Sequence, residues 1–313
     1  MSNETISGKI YKTTGSWHLV HTEYGIFNCK IRGKLRIKDF DSTNPVAVGD
    51  FVEIEPQDKN TGVITNIQDR KNCIIRQSTN LSKQIHLIAC NVDQAMLIVT
   101  LAEPQTPVEF IDRFLVSCEI YKVQPIIAFN KIDIYTDKEL AQMDELLETY
   151  DKIGYQTVWI SVAKKINLDK IVNILKNKTT AISGNSGVGK SSLINTISPN
   201  LNIKVDTISP KYKTGKHTTT YAQMYDLDFG GQIIDTPGIK AFGLAFVEKE
   251  LIAQNFPEMF AHLGYCKYHN CQHIDEPNCS VKEAYQRGEI AYSRYKSYLN
   301  IMLDQDEKYR KDF

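Results

Sequence analysis

Apolar and polar positions alternate over short distances through the first seventy residues, the period-two signature of strands. Val46-Ala47-Val48-Gly49-Asp50-Phe51-Val52-Glu53-Ile54 combines a turn with alternation, and Gly62-Val63-Ile64-Thr65-Asn66-Ile67 follows after another turn. The most informative of these predicted strands runs from Cys29 to Lys38. Its even positions, Lys30, Arg32, Lys34, Arg36 and Lys38, are all cationic, and its odd positions are apolar or Gly. A strand there carries five cations on one face. Such a face is either simply solvated or covered by something anionic, since five like charges repel. A small closed barrel with a basic face has the form of an OB-type nucleic-acid module.

Near residue 91 the pattern changes. Ala95-Met96-Leu97-Ile98-Val99-Thr100-Leu101 is a continuous apolar run, as in a strand buried on both faces. A helix is predicted over about 107–120, a strand over 124–129, a helix near 137–150 and a strand near 155–160. A helix near 167–177 and a strand near 179–183 follow. This alternation is that of a doubly wound α/β domain. It ends near residue 245. Beyond it a helical pattern places Tyr285, Tyr292, Tyr295, Leu299 and Met302 at spacings that read as core packing. The predicted units are therefore 1–70, 71–245 and 246–313.

With 313 residues and 42% hydrophobic residues, the chain can bury sizeable cores. The 37 basic and 37 acidic residues cancel. That balance argues against a polybasic, histone-like binder but says nothing about local patches. No apolar run approaches the ~18 residues of a membrane span. The opening Met-Ser-Asn-Glu-Thr-Ile-Ser-Gly lacks the basic region and apolar core of a signal peptide. A reducing compartment is expected. Of seven cysteines, Cys29, Cys73, Cys90 and Cys118 stand among apolar neighbours and read as buried thiols.

Gly184-Asn185-Ser186-Gly187-Val188-Gly189-Lys190-Ser191 fits the phosphate-binding G-x-x-x-x-G-K-[ST] pattern, between a predicted strand and a helix opening through Ser192. Glycines let the loop wrap closely around phosphates, and the helix N-terminus adds positive potential. Lys190 is expected to reach the β- and γ-phosphates, and Ser191 to hold Mg²⁺. Asn130-Lys131-Ile132-Asp133 follows a buried strand. There the Asp133 carboxylate matches the N1–H and 2-amino donors of guanine, whereas adenine leaves it unsatisfied. Ser161-Val162-Ala163 would place backbone groups near the same base. Asp235-Thr236-Pro237-Gly238 ends a strand, with Asp235 toward Mg²⁺ and the Gly238 N–H toward the γ-phosphate. In the polar run 211–220 the expected γ-phosphate and Mg²⁺ sensor is Thr219, in preference to Thr218. His217 either positions water, contacts RNA phosphate or is solvated.

The order is the reverse of an ordinary GTPase, because the base-reading motifs precede the P-loop. A circular permutation preserves the sheet while moving the termini. It also makes Asp-Thr-Pro-Gly the last element before the C-terminal segment. There Cys266-x₄-Cys271-x-His273-x₅-Cys279 supplies three thiolates and an imidazole, a closed set suited to one structural zinc.

Together these features resemble the ribosome small-subunit-dependent GTPase A family (RsgA type) over nearly the whole chain. The Gly215-Lys216-His217-Thr218-Thr219-Thr220 run is similar to that family's switch, while Ser161-Val162-Ala163 departs from its usual Ser-Ala. The resemblance implies binding to the small ribosomal subunit and its rRNA, and a role in late subunit maturation in a bacterial cytoplasm. A monomer is expected, with no membrane partner. Ile239 stands where many GTPases carry the glutamine that orients water, so slow intrinsic hydrolysis, stimulated by the subunit, is expected. The alternatives are a P-loop ATPase or kinase, and an RNA-binding module with a passive nucleotide site.

Overall fold

The computed structural model describes residues 5–33, 45–77, 85–201, 203, 222–235 and 251–303. Five strands come first: β1 (Ile6–Thr14), β2 (Trp17–Thr22), β3 (Gly25–Ile31), β4 (Phe51–Asp58) and β5 (Thr61–Ile67). They pair in the order β1-β2-β3-β5-β4, and β4 pairs back on β1, closing a small OB-like barrel. Alternation explains the closure: Val20, Phe27, Cys29, Val52, Ile54 and Ile64 all point into one buried core with Ile10. The basic strand is shorter than its charge pattern predicts. β3 ends at Ile31, and Gly33 turns to a φ of 56°. Only Lys30 of the five cations therefore lies on β3, with its ammonium 4.6 Å from the Trp17 ring centroid. Arg32 lies just past the strand and pairs with Glu55. Lys34, Arg36 and Lys38 fall outside the described residues.

A hairpin of β6 (Cys73–Gln77) and β7 (Ile85–Cys90) links the barrel to a larger sheet. Its elements are β8 (Gln94–Val99), α1 (Val108–Tyr121), β9 (Gln124–Phe129), α2 (Asp137–Ile153) and β10 (Gln156–Trp159). They continue as α3 (Leu168–Leu175), β11 (Thr179–Ser183), α4 (Lys190–Ile197), β12 (Gln223–Asp226) and β13 (Gln232–Asp235). The strand order is β10-β9-β8-β11-β13-β12, parallel except for β12. The apolar run of β8 serves both faces. Ala95, Leu97 and Val99 pack with Phe114, Met143 and Tyr150, whereas Met96 and Ile98 pack with Ile171, Leu175 and Leu193. A capping box between Thr136 and Glu139 starts α2.

The two sheets are continuous. β1 pairs with β12 at Lys12↔Gln223, just beyond the irregularity in β1 between Ile10 and Lys12. The Tyr11 hydroxyl donates to Asp226 Oδ1 at 2.6 Å, and Lys9 Nζ donates to Gln232 Oε1 at 2.6 Å.

Three helices complete the described chain: α5 (Pro257–Phe260), α6 (Ser280–Gln286) and α7 (Tyr292–Met302). The single helical stripe expected from the tyrosine spacing is broken between α6 and α7, where Gly288 has a φ of 77°. Tyr295 and Met302 are buried as expected, but Tyr292 is 65% exposed. This helical unit docks on α1 through Val116 and through a buried ion pair. The Arg294 guanidinium, fully buried, donates to Asp112 Oδ1 at 2.8 Å and to Glu258 Oε1 at 2.6 Å. Asp112 also accepts from Tyr150 and Ser297. Burial alone would lower the Arg294 pKa, but Asp112 and Glu258 reverse this and keep it charged.

Removing one partner of such a pair strands the other charge. Asp112→Ala is expected to destabilise the chain by about 3 kcal/mol or more. The readout is a lower thermal midpoint, together with tryptic cleavage within 251–303 at temperatures where the parent resists.

Candidate nucleotide site and metal centre

From β11 the chain turns directly into the glycine-rich loop. Gly184, Gly187 and Gly189 hold φ values of 151°, 84° and 97°, which L side chains rarely adopt. A Cβ on Gly184 would lie 2.5 Å from the Ile98 carbonyl oxygen, and one on Gly189 would lie 2.5 Å from Asn130 Nδ2. The loop is thus a cradle that side chains would fill, lined by backbone N–H groups of the kind that bind phosphate. Gly189 stands at the N-cap of α4 and offers no side-chain oxygen to the first-turn N–H groups. Those groups suit an anion. Lys190 Nζ lies against the loop, donating to the carbonyl oxygens of Gly184 and Asn185. Ser191 and Ser192 follow in the first turn of α4, half-buried, while Ser186 is exposed and Val188 buried.

The base-reading motifs sit at the ends of the neighbouring strands β9 and β10. The Asn130 side chain is buried and bridges two loops: Nδ2 donates to the Val188 carbonyl at 2.8 Å, and Oδ1 accepts from the Val162 N–H at 3.2 Å. Lys131 takes a left-handed φ of 65° and sends its ammonium to the Glu103 carbonyl. Burial lowers its pKa, with Glu103 and Asp133 opposing. Asp133 is exposed, and the buried Ser161 hydroxyl donates to its Oδ1. Ser161 Oγ also accepts from the Lys164 N–H at 3.0 Å, so the carboxylate is held by a fixed loop. Ile132 is half-buried beside it and Ala163 is exposed.

A residue without a motif completes this side. The Tyr135 hydroxyl donates to the Asn130 carbonyl at 2.7 Å and accepts from the Leu101 N–H at 2.8 Å, and burial pushes its pKa up to about 12. Nothing in the sequence marks Tyr135 except its position two residues after the motif. Asp235 is the last residue of β13, in register with Ile182 of β11, two positions before Gly184. The structure therefore brings Asp235, the P-loop and both base-reading loops to one edge of the sheet, at the carboxyl ends of its parallel strands. His217, Thr218, Thr219 and Gly238 lie outside the described residues.

Cys266, Cys271, His273 and Cys279 also converge, their ligand atoms all within 4.8 Å of one another. Cys266 Sγ lies 3.9 Å from Cys279 Sγ and 3.5 Å from His273 Nδ1, and His273 Nδ1 lies 3.3 Å from Cys279 Sγ. Tetrahedral zinc spaces two sulfurs about 3.8 Å apart and a sulfur and nitrogen about 3.6 Å apart. The donor set therefore fits. Ser280 Oγ lies 3.1 Å from Cys266 Sγ, and the Tyr295 hydroxyl donates to the His273 carbonyl at 2.7 Å. Burial lowers the His273 pKa, with Glu276 opposing, which favours the neutral imidazole, the ligating form.

Sequence models place the chain. That of the RsgA GTPase matches residues 67–245, and that of the RsgA N-terminal domain matches residues 7–64. The chain belongs to the RsgA GTPase family. "Small ribosomal subunit biogenesis GTPase RsgA" of Christiangramia forsetii is 49% identical over 98% of this chain and 99% of its own length. The protein of the same name from Flavobacterium psychrophilum is 49% identical over 98% and 95%. YjeQ from Thermotoga maritima, a solved structure, superposes with a TM-score of 0.78 at 34% identity, over 96% of this chain and 98% of that one. YloQ, described as a circularly permuted GTPase, gives 0.73 at 29%, over 97% and 96%. Membership makes this chain a GTP hydrolase, using GTP with Mg²⁺, and the permuted motif order has its counterpart in a solved relative.

The Cys₃His geometry yields a metal prediction. The purified protein is expected to contain about one zinc per chain by elemental analysis. Cys271→Ser is expected to bring that below about half and to increase proteolysis of α6 and α7.

Proposed function

We propose that this chain hydrolyses GTP while bound to the small ribosomal subunit, contacting its rRNA, during late subunit maturation in the bacterial cytoplasm. What carries the reading is the convergence of a P-loop and an exposed, buttressed Asp133 on one sheet edge, in a chain whose relatives are named for small-subunit biogenesis. The three units 1–70, 71–245 and 246–313 act as an RNA-facing barrel, the nucleotide-binding domain and a zinc-stabilised segment in a monomer. Among the described residues no helix is long and apolar enough to cross a membrane.

The residues take distinct parts. Gly184, Asn185, Ser186, Gly187, Val188 and Gly189 wrap the phosphates with backbone N–H groups, and Lys190 leaves its two carbonyl partners for the β- and γ-phosphates. Ser191, Thr219 and Asp235 are the residues that would hold Mg²⁺, which when bound would supply positive charge to offset that on the phosphate oxygens. Ser192 adds a first-turn N–H. Gly238 contacts the γ-phosphate through its N–H. Asp133 accepts from the guanine N1–H and 2-amino group while Asn130, Lys131, Ile132, Ser161, Val162 and Ala163 wall the base. Ile239 cannot orient water, so turnover is slow until the subunit orders the run around His217. His217 is one candidate to take over that task.

Losing two hydrogen bonds to a charged acceptor weakens binding by about 3 kcal/mol or more. Asp133→Ala is therefore expected to raise the Kd for GDP at least about 100-fold without improving ATP binding. Titration of a fluorescent nucleotide measures both, and an unchanged Kd would remove Asp133 from the base site. The RNA contact is tested separately. Co-sedimentation with purified small subunits is expected to weaken steeply with salt, and Lys30→Ala should lower the slope of log K against log salt by about 1. A salt-independent association would exclude the phosphate contact.

A further inference from the structure

Outside the metal centre, a second pair of thiols meets. Cys73 opens β6 and Cys90 closes β7, and the two are directly opposed across the antiparallel pair. Their sulfurs lie 2.8 Å apart. Directly opposed residues in such a ladder have Cα atoms about 4.5–5.5 Å apart, inside the roughly 4.4–6.8 Å that a disulfide spans. Bonding requires the sulfurs to close by less than about 1 Å. Cys29 and Cys118, by contrast, are buried in the barrel core and in α1.

The pair stands where three parts of the chain join. The Cys90 N–H donates to the Val48 carbonyl at 2.8 Å, and Val48 bridges to Ala89. Gly49, with a φ of 93°, passes so close that a Cβ would lie 2.1 Å from the Cys90 carbonyl oxygen. Asn91 Nδ2 donates to the Gly49 carbonyl, and Asn72 exchanges two hydrogen bonds with Val92 just before β8. Beside the thiols, Arg70 forms a two-pronged pair with the buried Asp50, at 2.7 and 2.6 Å, and binds the Pro45 carbonyl.

We propose that Cys73 and Cys90 are a reversible disulfide site, oxidised by hydrogen peroxide and reopened by a dithiol reductant. The two thiols are not equivalent. Cys73 is half-buried and open to a small oxidant, whereas Cys90 is fully buried. The hydrogen bond from Cys90 lowers the Cys73 pKa, and the Arg70 charge adds to this against the effect of burial. Burial pushes the Cys90 thiol up. Cys73 is thus the attacking sulfur and Cys90 the resolving one. The Cys73 thiolate attacks one peroxide oxygen, the O–O bond breaks, and the departing hydroxide takes a proton to leave as water. Cys90 then attacks the sulfur of the resulting sulfenic acid. The S–O bond breaks, the S–S bond forms, and a second water carries off the Cys90 proton. The two sulfurs together lose two electrons and the peroxide gains them. The product staples the base of the hairpin at the seam between barrel and nucleotide-binding sheet.

The test uses the full-length, metal-loaded protein. Hydrogen peroxide is added at doses that leave Cys29 and Cys118 free, remaining thiols are alkylated, and the digest is mapped by mass spectrometry. The expected product is a Cys73–Cys90 linked peptide pair, about 2 Da lighter than its reduced halves and restored by dithiothreitol. Oxidation confined to Cys266, Cys271 and Cys279, or Cys73 driven to sulfinic acid without a link, overturns the proposal. In Cys90→Ser, Cys73 is expected to accumulate as sulfenic acid trapped by dimedone. Equal trapping in the parent and the variant overturns the assigned order of attack.

Discussion

One side-chain amide holds the nucleotide site together. Asn130 donates to Val188 in the P-loop and accepts from Val162 in the loop after β10, while its own backbone carbonyl is held by Tyr135. Gly189 exists to admit it, since any Cβ there would meet the amide nitrogen. A buried amide with its donor and acceptor both used tolerates little displacement, because losing either bond leaves a buried polar atom unpaired. Three loops from three strand ends are thereby set in one register before any ligand arrives. Ser161 extends the constraint outward by fixing Asp133 from the same loop that Asn130 grips.

This explains why the permuted order costs the site nothing. The grip acts between strand ends on one edge of the sheet, β9 beside β10 and β11 one strand away across β8, and hydrogen bonds do not register which strand was synthesised first. What the permutation changes is connectivity. Asp235 ends the last strand of the sheet among the described residues, so in chain order the phosphate side of the site is followed by the Cys/His centre and its helices.

Much of this was legible because its signals are local. The strands at 124–129 and 179–183 appear at their predicted bounds, since an apolar run between polar breakers marks both its ends. The P-loop pattern and the Cys/His cluster depend on spacing within short segments, and there the loop glycines take positive φ and the four Cys/His ligand atoms lie within 4.8 Å of one another. The predicted basic strand is interrupted after Ile31, where Gly33 turns the backbone although the charge alternation runs on; the alternating positions from Lys34 lie outside the described residues. Least legible were contacts between distant segments. Arg294 and Asp112 are 182 residues apart, and Tyr11 and Asp226 are 215 apart. No local pattern marks such partners; each looks like an ordinary surface charge or aromatic until the packing places it. The facing of Cys73 and Cys90 is of the same kind, since only strand register reveals it.

Those distant contacts also divide the molecule's mechanical connections. The barrel grips the sheet at β12, and Lys9 reaches Gln232 on β13, the strand that ends in Asp235. The C-terminal helices grip elsewhere. Arg294 and Ser297 bind Asp112 on α1, and Asp112 in turn accepts from Tyr150 on α2, the helix that follows the Asn-Lys-Ile-Asp loop. A displacement of the barrel therefore bears first on the strand that ends in Asp235, and a displacement of the C-terminal helices bears first on the helix that follows the Asn-Lys-Ile-Asp loop. Packed elements move as rigid bodies rather than deforming smoothly, and the two appendages are anchored to different elements around the nucleotide site. Asn130 is the side chain that ties the two sides together, bonded to the P-loop at Val188 and to the loop after β10 at Val162.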